Sequence, residues 1–199
     1  MQYLPTNIDG RDWLNRHWEP GKTHTADNEN HRPQTYHDLY TAVLLAPAFE
    51  EYPDLRLFAA TGENGDGDPL RPCWRSLTAI SEVPVPEITE LQRTTFGIVC
   101  ALNVVAQPDF CRWAFDWLAG RDRTPESAAA VEAKMLDHIL VKEPEENLGA
   151  GHAAAAAAKQ NAARELTHYA ACAAHRAWAA PDTHRLHLAE IAAVVIPFP

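Results

Sequence analysis

Cysteine is scarce in this chain and never closely paired: Cys73, Cys100, Cys111 and Cys172 stand far apart and form no CxxC. That spacing suits a reducing cytoplasm better than a zinc ribbon or a disulfide framework, so free thiols are the expectation. Long apolar runs are missing as well. The longest uncharged stretch lies between Arg93 and Asp109, 15 residues that include Asn103 and two threonines, against the ~20 that a membrane-spanning helix needs. The first residues, MQYLPTNIDGRDW, place no apolar segment behind a basic one, so no secretory signal is expected. Catalytic signatures are absent too. The chain has no GxSxG elbow, no GxGxxG after a strand, no phosphate-cradling GxxxxGK and no HExxH.

Basic residues are outnumbered, 17 against 27 acidic ones, for a net charge of −10. Residues 149–199 carry +1 and residues 1–148 therefore −11. An acidic surface repels nucleic-acid phosphates and anionic membranes and steers a basic protein toward itself. Apolar residues make up 46% of the 199, with six Trp, six Phe and five Tyr, enough for a core without a staple.

The most conspicuous segment present is residues 149–180, half alanine, 16 of 32 positions. Alanine is the strongest helix former, so the composition predicts one long helix over about 150–180. Residues 36–60 read as two short helical pieces broken near Pro47 and Pro53. Thr61 to Pro72, TGENGDGDPLRP, reads as a loop. A calcium-loop reading from Asn64 fails, because Pro69 stands where glycine is required and Arg75 where a bidentate glutamate belongs. Ile88, Leu91, Thr95, Ile98, Leu102 and Val105 follow helical spacing, while Phe96, Val99, Cys100 and Val104 make the other side apolar. A helix apolar on most sides is expected at the centre, over about 86–106. Pro108 opens a further helix that Gly120 ends, and Thr124-Pro125-Glu126 starts another. Leu188, Ile191 and Val195 mark a last one. Together these segments predict an all-α fold, a single helical bundle over residues 36–199, with residues 1–35 an irregular arm packed on it. Trp13 and Trp18 in that arm either anchor it or await a partner, and anchoring is the expectation. His17, His24, His31 and His37 are spaced at about seven residues, but Pro20, Gly21 and Pro33 forbid the helix that would align them.

Two groups of residues are candidates for function. On the alanine-rich segment, helical geometry gathers Glu165, His168, Cys172 and His175 within one sector of about 80°. His168, Cys172 and His175 could ligate zinc or another late transition metal, with His184 or His187 as a fourth ligand. Cys172 with a neighbouring histidine as base is a weaker, nucleophilic version of the same idea. An ordinary solvated helix face is the simpler account, so no cofactor is the leading expectation. The second group is the acidic stretch with Glu63, Asp66 and Asp68, followed by Trp74, read as an electrostatic docking site with an aromatic anchor. The alanine- and histidine-rich last third resembles toxin-immunity proteins in composition, a likeness that carries over no residue. The sequence thus points to a non-catalytic, acidic, cytoplasmic binding module that takes a basic protein partner, neither nucleic acid nor membrane, with an immunity or antitoxin-like inhibitor as the concrete form. The alternative is a metal-binding protein or metal-dependent helical enzyme.

Overall fold

The computed structural model describes residues 1–49, 54–141, 148–160, 163–180 and 186–196, and it corrects the all-α expectation. The chain divides into two compact units, Met1–Glu87 and Ile88–Pro199. The first is built on a four-stranded antiparallel sheet and the second is helical, so the protein is a mixed α/β fold and not a helical bundle.

In the first unit the sheet order is β1-β3-β4-β2, with β1 Gln2–Thr6, β2 Thr23–Thr25, β3 Arg56–Gly67 and β4 Pro72–Val83. The stretch expected to be an irregular arm supplies β1 and β2. The supposed acidic loop is the distal half of a hairpin, whose ladder continues through Glu63↔Ser76, Gly65↔Trp74 and Gly67↔Pro72. Between β2 and β3 come a short 3-10 helix, Glu29–His31, and α1 (Leu39–Phe49), the first turn of α1 capped by Asp38, whose Oδ1 accepts from the Thr41 amide at 2.8 Å. Residues 34–36 then bring the two sides of the sheet together. The Thr35 amide donates to the Pro72 carbonyl on β4, and Tyr36 exchanges both backbone hydrogen bonds with Tyr3 on β1. A sheet linked in this way is curled, and it encloses Leu4, Trp18, Phe58, Ala60, Leu77 and Ala79. Trp18 is thus an anchor, 1% exposed.

The second unit contains α2 (Glu90–Leu102), α3 (Pro108–Leu118), α4 (Pro125–Val141), α5 (Leu148–Lys159), α6 (Ala163–Trp178) and α7 (Leu188–Val195). Local chemistry sets the starts. Thr89 and Gln92 form a reciprocal capping box before α2, and Pro108 stands in the first turn of α3 behind Gln107, whose side chain accepts from the Phe110 amide. Gly120, with a φ of 71°, follows the end of α3. The alanine-rich segment is two helices, α5 and α6, packed on each other. The reason is burial: Ala153 to Ala157 are all enclosed as α5 packs against α2, α4 and α6. Small side chains let these backbones approach closely. A Cβ on Gly97 of α2 would lie 3.1 Å from the Ala170 carbonyl oxygen of α6. Phe110, Val105 and Met135 close around Gly151, each within 3.4 Å of where its Cβ would be. The central position expected for residues 86–106 is therefore shared between α2 and α5.

Candidate partner-binding surface

The two predicted acids on β3 and the one at the hairpin turn are exposed, but they differ in what they touch. Asp66 is ion-paired with Arg32, which also reaches Glu29 at 3.7 Å. Asp68 accepts from the Leu70 amide at 2.7 Å, which shapes the turn. Glu63 lies opposite Ser76 and leaves its carboxylate in solvent. Trp74, half-buried, lies across Gly62 and Gly65, where a Cβ would come within 2.1 Å and 2.5 Å of its ring atoms. Its indole N–H donates to Thr35 Oγ1 at 2.8 Å, and Thr35 donates on to Gln2 Oε1 at 3.0 Å. The glycines that made this segment look like a loop form the bed on which an aromatic ring rests.

The second predicted group lies on α6. His168 Nε2 is 3.5 Å from Cys172 Sγ, and the His175 ring stacks on Trp178 with centroids 6.4 Å apart. Burial pushes the Cys172 thiol up, with Arg176 opposing weakly, which disfavours the thiolate that a nucleophile or a zinc ligand requires. Among the described residues, no three His, Cys, Asp or Glu side chains gather where they could hold a metal ion. His187 sits 4.0 Å from Glu190, and His184 lies outside the described residues.

Three arrangements were not anticipated from the sequence. On the helical unit, Glu132 of α4 is ion-paired with Lys159 and lies 3.9 Å from His152 Nε2, both on α5. Burial holds the His152 pKa below its ordinary value, partly offset by Glu132. On the sheet unit, Arg56 makes a two-pronged pair with Glu82, at 2.8 and 2.6 Å, and holds that carboxyl below the usual range.

The third arrangement is a repeat. Residues 7–11 (NIDGR) and 12–16 (DWLNR) fold into the same five-residue loop. In the first, the Asn7 amide donates to the Arg11 carbonyl and Gly10 to the Asn7 carbonyl, while Asn7 Oδ1 accepts from the Asp9 and Arg11 amides. In the second, Asp12, Asn15, Leu14 and Arg16 repeat every one of these bonds. The fourth residue of each loop has positive φ, 72° at Gly10 and 61° at Asn15, positions that glycine and asparagine tolerate best. Asp12 is buried and also accepts from Arg16 Nε at 2.7 Å and from the Trp18 indole at 3.0 Å. Arg16 continues to the His31 carbonyl at 2.8 Å. Arg56 donates to the Ile8 carbonyl of the first loop at 3.3 Å. The second residue of each loop, Ile8 and Trp13, points outward, 58% and 45% exposed. The sequence signal is an Asn or Asp, then a Gly or Asn three residues on, then an Arg.

Comparison with known proteins finds no matching family model, no matching curated protein and no matching solved structure. No helix among the described residues is long and apolar enough to cross a membrane.

Proposed function

We propose that this protein is a non-catalytic binding module whose sheet unit takes a basic protein partner, in the manner of an immunity or antitoxin-like inhibitor. One observation carries the reading: the sheet unit holds twice as many acidic as basic residues, and several of those acids are exposed. Residues 1–87 hold 14 acidic and 7 basic residues. Four of the seven, Arg11, Arg16, Arg32 and Arg56, are engaged with carboxylates or carbonyls of their own unit. Asp9, Glu19, Asp27, Glu63 and Asp68 meanwhile keep exposed side chains. Such a field accelerates encounter with a basic surface and suppresses encounter with polyanions. Free thiols at all four cysteines suit a cytoplasmic site of action.

The test uses Glu63→Lys with Asp27→Lys, both exposed, because reversing Asp66 would break its pair with Arg32 and reversing Asp68 would remove the acceptor of the Leu70 amide, and either would confuse binding with folding. Immobilised full-length protein is exposed to extract of the cells it comes from, and a retained basic protein is purified for kinetics. The double reversal is expected to slow association by about tenfold at low salt and to flatten its salt dependence, with dissociation little changed. Association rates equal to those of the unaltered protein would refute the electrostatic reading.

A further inference from the structure

The second loop places an apolar side chain on a fixed mount. Trp13 is the second residue of a turn whose conformation is set by the Asp12 carboxylate from below. It is not set by the indole, which enters none of the loop's hydrogen bonds. Asp12 is itself locked, accepting from two amides, one guanidinium and the Trp18 indole, and Trp18 is embedded in the sheet core. The loop before it has the same backbone and offers Ile8 at the equivalent position, tied to β3 through Arg56. The arginines of this stretch are turned inward: Arg11 donates to the Asn15 carbonyl at 3.0 Å and Arg16 to Asp12. The exposed charges left in the same stretch are the carboxylates of Asp9 and Glu19.

An exposed tryptophan on a rigid turn loses little conformational freedom on docking, which is the property that makes aromatic side chains dominate interfaces. Trp74, the aromatic residue the sequence suggested for this role, is instead stacked on its glycine bed and hydrogen-bonded to Thr35. We infer that the tandem loops 7–11 and 12–16 are the anchoring surface for the partner, with Trp13 inserted into an apolar recess of a basic protein and Ile8 the exposed apolar residue of the preceding loop. This rests on the binding-module reading above and names the residues that hold the partner once charge has brought it in. The acids set the association rate, and Trp13 sets the lifetime of the complex.

The experiment compares Trp13→Ala, Trp13→Phe, Ile80→Ala and the Glu63→Lys/Asp27→Lys double variant against the same purified basic protein, retained from extract by the unaltered chain. Ile80 is a control of similar exposure, 49%, on β4. Amide exchange of residues 7–18 verifies that the loops are intact in each variant, as expected from the absence of the Trp13 indole from their hydrogen bonding. Trp13→Ala is expected to raise Kd by about 30-fold or more, almost all of it in the dissociation rate. Trp13→Phe should recover most of the loss, and Ile80→Ala should change Kd less than about threefold. An unchanged Kd for Trp13→Ala, alongside slower association in the charge-reversed variant, would overturn the loop surface and leave the acidic binding module standing. Equal losses from Trp13→Ala and Ile80→Ala would overturn it as well, since the apolar contribution would then be nonspecific. If no basic protein is retained, or charge reversal has no effect, the parent reading fails and this inference fails with it.

Discussion

Gly62→Ala isolates the feature that shapes the β3–β4 hairpin. The added Cβ would sit 2.1 Å from Trp74 Cδ2, 2.2 Å from Cε3 and 2.6 Å from Cγ, whereas carbon atoms rest at about 3.5–4.0 Å. The ring must therefore retreat by on the order of 1.5 Å. That retreat lengthens the 2.8 Å bond from its Nε1 to Thr35 Oγ1 beyond hydrogen-bonding range. Forced overpacking costs about 1–3 kcal/mol and loss of the hydrogen bond about 0.5–1.5 kcal/mol, so the sheet unit is expected to lose about 2–4 kcal/mol. Backbone strain contributes nothing, because Gly62 does not have positive φ. A double-mutant cycle sharpens the test. With Trp74→Ala already in place the clash is gone, and Gly62→Ala should be neutral or stabilising by up to about 1 kcal/mol through the entropy of the unfolded chain. The readout is amide exchange of β3 and β4 across a urea series, which reports the opening free energy of this unit directly. A cost below about 0.5 kcal/mol in the wild-type background, or the same cost in both backgrounds, would refute the stacking argument.

Two further outcomes follow from the charged groups. Asp12→Ala leaves Arg16 and the buried Trp18 indole without their shared acceptor, so it should destabilise the sheet unit by about 3–5 kcal/mol, with Asp12→Asn milder because the amide oxygen still accepts; urea unfolding followed by tryptophan emission measures both. In the helical unit, His152 has a folded pKa below its unfolded value, so the unfolded state binds the extra proton first as pH falls. Its contribution is complete above about pH 6.5 and is lost on descending toward the folded pKa. The thermal midpoint should fall between about pH 7 and pH 5, and His152→Gln should flatten that slope; an identical slope in the variant would remove His152 as the cause.

The helices with chemical punctuation were legible and the strands were not. Pro108, Gly120 and the Thr124-Pro125 pair each mark a boundary by what the backbone can adopt there, and the structure places helix ends at those points. Leu57 to Ala60 are buried on both faces of the sheet, which removes the alternation that betrays a strand. Thr61 to Gly67 then look like a loop because their side chains are polar or missing, although their backbone is paired. Composition located helix in residues 149–180 but gave no sign of two pieces, since neither proline nor glycine separates Lys159 from Ala163. For the candidate surface, the excess of acid was readable as a sum. Which arginines are internally engaged was not, because those pairs join residues as distant as Arg32 and Asp66. Likewise two tryptophans five residues apart have opposite fates, and it is the packing of Trp18 in the sheet core and its hydrogen bond to Asp12, neither visible in the sequence, that enclose one of them.

The way the N-terminal residues border the sheet has a bearing on how the protein behaves when concentrated. An open strand edge is a template for pairing with another molecule. Here the outer side of β4 is occupied along most of its length, by Gly21, Lys22, β2 and Ala26 at one end and by Pro33 to Thr35 at the other. On β1, Tyr36 takes the pairing positions of Tyr3, and Pro5 has no amide hydrogen to offer. A segment that looks dispensable by composition thus serves as a guard against strand-to-strand self-association, so removal of residues 21–36 should leave a chain that aggregates through its sheet.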